Sequence, residues 1–188
     1  MRSSNFSNII LVVITIFGLL TILNFNTITE AKESKPIKVA YKDLSPTAKK
    51  QVECLAQNIY YEAGWEPEEG QVAVAMVTMN RVEDGRFANT ICGVVKQKEG
   101  TVCQFSWFCE KRAKAMIDKG LLTVENNSVY NKITDMALNF YLYTETFKDP
   151  TKGALFFHAD YVKPTWSNIR HTAQIGRHIF YNKVKRST

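Results

Sequence analysis

Apolar residues recur along this chain in several distinct rhythms. From Ile9 to Leu23 they run almost unbroken (IILVVITIFGLLTIL). From Val52 they settle into helical spacing, with Val52, Leu55, Ala56, Ile59 and Tyr60 on one face. Ser45 and Pro46 supply a helix start, with Ser as N-cap and Pro in the first turn. This helix is predicted to reach about Glu62, where Gly64 and Pro67 break it. A second helix is predicted to open at Pro67, with Glu68 and Glu69 suited to the positive end of its dipole. Its apolar set (Val72, Ala73, Ala75, Met76, Val77, Met79) is dense enough to predict burial on most sides. Asn80 and Arg81 then read either as a C-terminal cap with a surface charge or as polar scaffolding of a cleft.

Beyond this pair the elements shorten. Thr90 to Val95 is short and apolar, and Lys111 to Lys119 reads as a helix stopped by Gly120. Ser128 to Thr146 reads as a long helix with Val129, Ile133, Met136, Ala137, Phe140 and Tyr141 on one face. Extended structure is predicted for Gly100 to Trp107 and for a final strand from Gln174 to Tyr181, while Gly153 to Ala159 fits a strand or a buried loop. The pattern is mainly helical, with no internal repeat.

The N-terminal apolar run changes the domain picture. It follows Arg2, precedes a charged stretch and has the length of a signal-peptide core or a short membrane anchor. Residues 1–31 are therefore read as signal peptide or anchor, with a cleavage site after Ala31, residues 32–44 as a linker, and 45–188 as the exported domain. That domain is expected in the cell envelope or outside the cell, as a monomer, held to the membrane if the first segment stays uncleaved. The net charge of +6 favours an anionic partner. Scattered lysines and arginines without a zinc-finger or RNP signature argue against nucleic acid.

Export governs the cysteines. Cys54, Cys92, Cys103 and Cys109 form an even set in an oxidising compartment, so two disulfides are expected, with three pairings open. No metal site and no cofactor are expected. The cysteine spacings exceed the tight pairs of zinc sites, and His158, His171 and His178 lie far downstream.

Glu62 is the leading chemical candidate, because a carboxylate between two helical runs can be placed in a cleft. The block YYEAGWEPEEGQVAVAMVTMNRV resembles the cell-wall hydrolase family of the spore-cortex lytic enzyme SleB, as do CQFSWFC and GALFFHADYVKPTW…IGRHIFY. The resemblance runs from about Ser45 to Tyr181. It implies an α+β, mainly α, lysozyme- or lytic-transglycosylase-like domain with a small β-region beside the cleft, acting on peptidoglycan glycan strands. It places the catalytic acid at Glu62, a cleft-lining strand at Gln104, Phe105 and Ser106, and an aromatic segment at Phe157 and His158. Two positions depart from the family pattern. Gly64-Trp65 stands where Arg-Gly is common, and His158 where Asn is common. Trp65 offers a sugar-stacking face in place of an ion pair.

Glycosidic cleavage needs a proton for the leaving oxygen and an acid whose pKa is raised by burial. Tyr60, Tyr61 and Trp65 flank Glu62 and are the expected apolar wall. No second carboxylate pairs convincingly with it. Glu66 is separated by a helix break, and Glu68 and Glu69 suit the start of the second helix. A single acid suffices for a lytic transglycosylase, which gives 1,6-anhydro-muramic ends. A muramidase-type hydrolase and a non-catalytic wall-binding or virion-assembly module are the alternatives. Gln71, Gln104, Ser106, Phe157, His158 and Tyr161 are the candidate substrate contacts, and His178 is read as structural.

Overall fold

A computed structural model describes residues 39–123 and 125–184. The N-terminal segment read as signal peptide or anchor lies outside the described residues. Among the described residues no helix is long and apolar enough to cross a membrane.

Helix α1 (Pro46–Ala63) begins where the sequence places it: Ser45 is extended and its hydroxyl accepts from the Ala48 N–H at 3.2 Å. Its apolar face (Val52, Leu55, Ala56, Ile59) is fully buried, each large side chain contributing roughly 2 kcal/mol. Ahead of it, a 3₁₀ turn at Tyr41–Asp43 docks on α1 through a 2.6 Å hydrogen bond from the Tyr41 hydroxyl to Glu53.

Helix α2 (Glu68–Glu83) is the centre of the domain. One side, including Ala75 and Met76, joins the core formed with α1, α3 (Ile91–Lys96) and the later helix α5 (Ser128–Tyr143). Its other side, Ala73 and Val77, packs on Ala154, Ile175 and Phe180. The dense apolar run is explained by this two-sided burial. Between α3 and α5 lie a two-residue hairpin, β1 (Lys98–Glu99) with β2 (Val102–Cys103), a 3₁₀ turn at Ser106–Cys109, and α4 (Lys111–Asp118).

The chain ends in a three-stranded antiparallel sheet of order β3-β5-β4, from β3 (Phe156–Ala159), β4 (Ile169–Ile175) and β5 (His178–Lys183). The segment read as one final strand is a hairpin. Gly176, at φ 54°, and Arg177 reverse the chain between two longer strands. Register puts Phe157, Phe180 and Ala173 on the face toward α2, and Phe156, Tyr181 and His171 on the opposite face.

Both expected disulfides form: Cys54–Cys92 ties α1 to α3, and Cys103–Cys109 closes the loop after the hairpin. That loop corrects another expectation. Gln104, Phe105 and Ser106 are not a strand, because a bridge six residues long compacts the segment into the bend and 3₁₀ turn that follow β2.

Candidate active site

Glu62 occupies the last turn of α1, half-buried and making no hydrogen bond or ion pair among the described residues. Burial raises its carboxyl from the ordinary 4.5 to about 7. Arg81 pulls it down, and Glu110 pushes it further up. A carboxyl in this range is protonated for a large part of the time near neutrality, as a proton donor requires.

Arg81 is the residue with two open readings, and the structure makes it interior. It is 4% exposed, its Nε donates to the Leu155 carbonyl at 2.8 Å, and its Nη1 is buried without a partner. Phe105, Phe87 and Phe156 surround the guanidinium at 4.8, 5.2 and 5.9 Å from their ring centroids. Burial lowers its pKa to about 10, against the opposing pull of Glu62, so it stays cationic at neutral pH. Its neighbour Asn80 donates to Asp149 at 3.0 Å and to the Ala154 carbonyl at 3.1 Å, joining α2 to the turn ahead of β3.

The walls of the site are held by buried polar contacts. Trp107 Nε1 donates to Asn58 Oδ1 at 2.9 Å, Asn58 Nδ2 donates to Thr78 Oγ1 at 3.0 Å, and Thr78 donates to the Val74 carbonyl at 3.2 Å. Asn58 lies one turn before Glu62 on α1, so the disulfide loop, α1 and α2 meet at one node. Tyr61 lies flat on Trp107, with centroids 4.7 Å apart. Tyr60 packs edge-on against Tyr61 and Tyr130, and its hydroxyl accepts from Asn127 at 3.1 Å. Trp65 is 87% exposed, so it buries nothing of the acid and instead presents a free ring just beyond it.

The candidate contacts separate into groups. Gln104 is half-buried and, with Phe87 and Phe156, lines a hollow of about 350 Å³. Ser106 is exposed on the 3₁₀ turn. Phe157 packs inward against Phe105, His178 and Phe180. His158 stacks on Tyr181 at 5.3 Å, with its Nε2 3.1 Å from the Tyr181 hydroxyl, on the outer face of the sheet. Tyr161 is 74% exposed on the loop after β3, beneath the Arg177 guanidinium. Gln71 spends its amide on the Glu66 carbonyl at 3.1 Å and the Gly64 carbonyl at 3.5 Å, bracing the turn between α1 and α2. His178 is buried, its pKa lowered by burial, and its ring meets Phe157 edge-on, in keeping with a structural role.

Other acids have definite occupations. Glu66 accepts from the Arg177 N–H at 3.1 Å, in a space that a Cβ on Gly176 would fill. Asp84 is clamped by Arg86 at 2.6 Å. Glu110, exposed just after Cys109, is the acid whose charge reaches Glu62. It carries no motif, and only the folded loop brings it toward the site. No cluster of three or more metal-ligating side chains occurs among the described residues.

The domain is thus mainly helical α+β, with a half-buried acid ending a core helix and a small antiparallel sheet packed on α2. The catalytic domain of the germination-specific lytic transglycosylase SleB from Bacillus anthracis superposes with a TM-score of 0.50 at 26% identity, covering 79% of this chain and 100% of that one. The chain belongs to the cell wall hydrolase family, whose model matches residues 65–181, beginning just after Glu62. The spore cortex-lytic enzyme of Oceanobacillus iheyensis is 32% identical over 131 residues, 69% of this chain and 40% of the relative. That of Bacillus subtilis is 30% identical over 154 residues, 81% of this chain and 44% of the relative. The chain thus spans less than half the length of these relatives.

Proposed function

We propose that this chain cleaves the glycosidic bond between N-acetylmuramic acid and N-acetylglucosamine in peptidoglycan, as a lytic transglycosylase with Glu62 as its acid. The raised pKa of the half-buried Glu62 carries the reading, and the kinship with spore cortex-lytic enzymes supports it. Protonated Glu62 gives its proton to the bridging oxygen as the muramic C1–O bond breaks. The resulting carboxylate, beside Arg81, then accepts the proton of the muramic 6-hydroxyl as that oxygen bonds to C1. Glu62 ends protonated, no water is consumed, and the product is a 1,6-anhydro end. Trp65 supplies a sugar-stacking face, and Gln104, Ser106, His158 and Tyr161 are the proposed polar and aromatic contacts along the strand.

A second reading rests on Glu110. In a hydrolase a second carboxylate activates water, and Glu110 is the acid electrostatically coupled to Glu62.

Digestion of purified peptidoglycan, with Glu62→Gln as control, tests both. Mass spectrometry of the released muropeptides should find anhydro-muramic ends, lighter by one water than reducing ends, and none with the variant. Reducing ends would establish hydrolysis. No fragment from a folded wild-type chain would sink both readings in favour of a wall-binding module.

A further inference from the structure

A hollow of about 930 Å³ is lined at the end of the sheet by residues including Asp84, Arg86, Ser167, Asn168, Arg170 and Lys183. It does not include Glu62. Its charge is unevenly spent. Arg86 is engaged with Asp84 through two hydrogen bonds, at 2.7 and 2.6 Å, so each cancels the other. Arg170 and Lys183 form no salt bridge among the described residues and are exposed. Ser167 and Asn168 add neutral polar groups to the same wall.

The hollow adjoins the smaller one at Gln104. Arg86 and Lys183 also line the smaller hollow that holds Gln104, where Lys98 and Glu99 balance each other in charge. Phe156 links this wall to the buried arginine: the Arg81 guanidinium lies 5.9 Å from its ring centroid and Lys183 Nζ lies 6.0 Å from it. A strand running past Gln104 therefore meets a wall of net positive charge, because Arg86, Arg170 and Lys183 outnumber Asp84, the one carboxylate among them, which Arg86 clamps and Lys183 also attracts.

The hydroxyl and N-acetyl groups of the glycan are neutral and give such cations nothing to pair with. Where a peptide stem is amide-linked to the muramic lactyl carbonyl, the anionic groups are the carboxylates of the stem itself. Resting on the proposed glycan-cleaving function, we propose that Arg170 and Lys183 form a subsite for stem-peptide carboxylates, so that the enzyme prefers strands whose stems carry free carboxylates.

Binding separates this idea from the reaction itself. Full-length Glu62→Gln chain in mild detergent would be titrated by calorimetry with soluble, uncross-linked peptidoglycan strands. One sample keeps its stem carboxylates; in the other they are converted to neutral amides. Binding to the carboxylate strands should be about ten-fold tighter at low salt, the scale of two partly exposed charge pairs. Adding Arg170→Gln and Lys183→Gln should bring the carboxylate strands down to the amidated level. Equal binding to both strands, or an equal loss on both in the double variant, overturns the proposal. Because the readout is binding, a wild-type chain that releases no fragment yet keeps the preference refutes the reaction and leaves the subsite standing.

Discussion

Arg81 is buried more deeply than Glu62, the acid whose charge it opposes. The two are electrostatically coupled without a salt bridge: each shifts the other toward its charged form, while burial shifts both the opposite way. A direct ion pair would hold the carboxylate ionised and disable it as a donor. A cation held off by the Leu155 carbonyl and three aromatic rings stabilises the anion that forms after proton transfer without abolishing the acid.

This balance predicts a pH profile. The donor must be protonated, so kcat/KM should fall as pH rises through about 7. Arg81→Met removes the influence that lowers the Glu62 pKa, and the falling limb should move to higher pH. Arg81→Lys should move it less. An unmoved limb in the Met variant would show that Arg81 does not tune the acid.

Stability should respond in the opposite sense from that of a paired carboxylate. With a folded pKa of about 7 against an ordinary 4.5, the folded state binds more protons across this interval, so stability falls as pH rises through it. Glu62→Gln should therefore be more stable than the parent at pH 8 by about 1–2 kcal/mol, with solvent reaching part of the half-buried carboxylate and screening the rest. Denaturant melts of both proteins at pH 5 and pH 8 should converge at the lower pH.

Glu110 divides the two chemical readings. In a transglycosylase, Glu110→Gln should leave turnover within about two-fold and lower the Glu62 pKa slightly, since a repelling charge is gone. In a hydrolase the same change should cost about a hundred-fold or more in kcat. Steady-state rates decide.

Trp65 should matter for binding alone. Its ring is exposed, so Trp65→Ala should leave the melting temperature nearly unchanged. Loss of a sugar-stacking surface should raise KM by about ten-fold with kcat preserved. A fall in kcat instead would place Trp65 closer to the reacting bond than its position suggests.

The two disulfides should differ in what they protect. Replacing Cys54 and Cys92 by Ala opens a loop of separation 38 and should cost about 4 kcal/mol. Replacing Cys103 and Cys109 opens one of separation 6, worth about 2 kcal/mol. The second pair should cost more activity for each degree of melting temperature lost, because it shapes the segment bearing Gln104 and Trp107. Thermal melts beside activity measurements would show the contrast.

The helical half of the domain was legible because its signals are local. Ser45-Pro46 starts α1, the Val52–Tyr60 spacing gives its face, and the dense run in α2 foretold burial on both sides. The β-region was less so. The Ile169–Ile175 strand carries Arg170, His171 and Gln174 on exposed positions and lacks a strong apolar alternation, so the hairpin turned at Gly176 read as one strand. Gln104–Ser106 looked extended by residue type, and the disulfide overrode that preference. Arg81 could be read two ways until its surroundings were known. Glu110 had no local signal at all, because its relation to Glu62 exists only across the fold.

The node of Asn58, Thr78 and Trp107 has a consequence for how such a sequence can diverge. Each side chain supplies a donor or acceptor that another needs, away from water. Changing one alone strands a buried polar group at a cost of about 1–3 kcal/mol. These three positions are therefore poor places for stepwise drift, and viable descendants should replace them in concert. The placement of the acid one turn from Asn58 is thereby inherited as a unit, while the sheet's outer face remains free to explore new specificities.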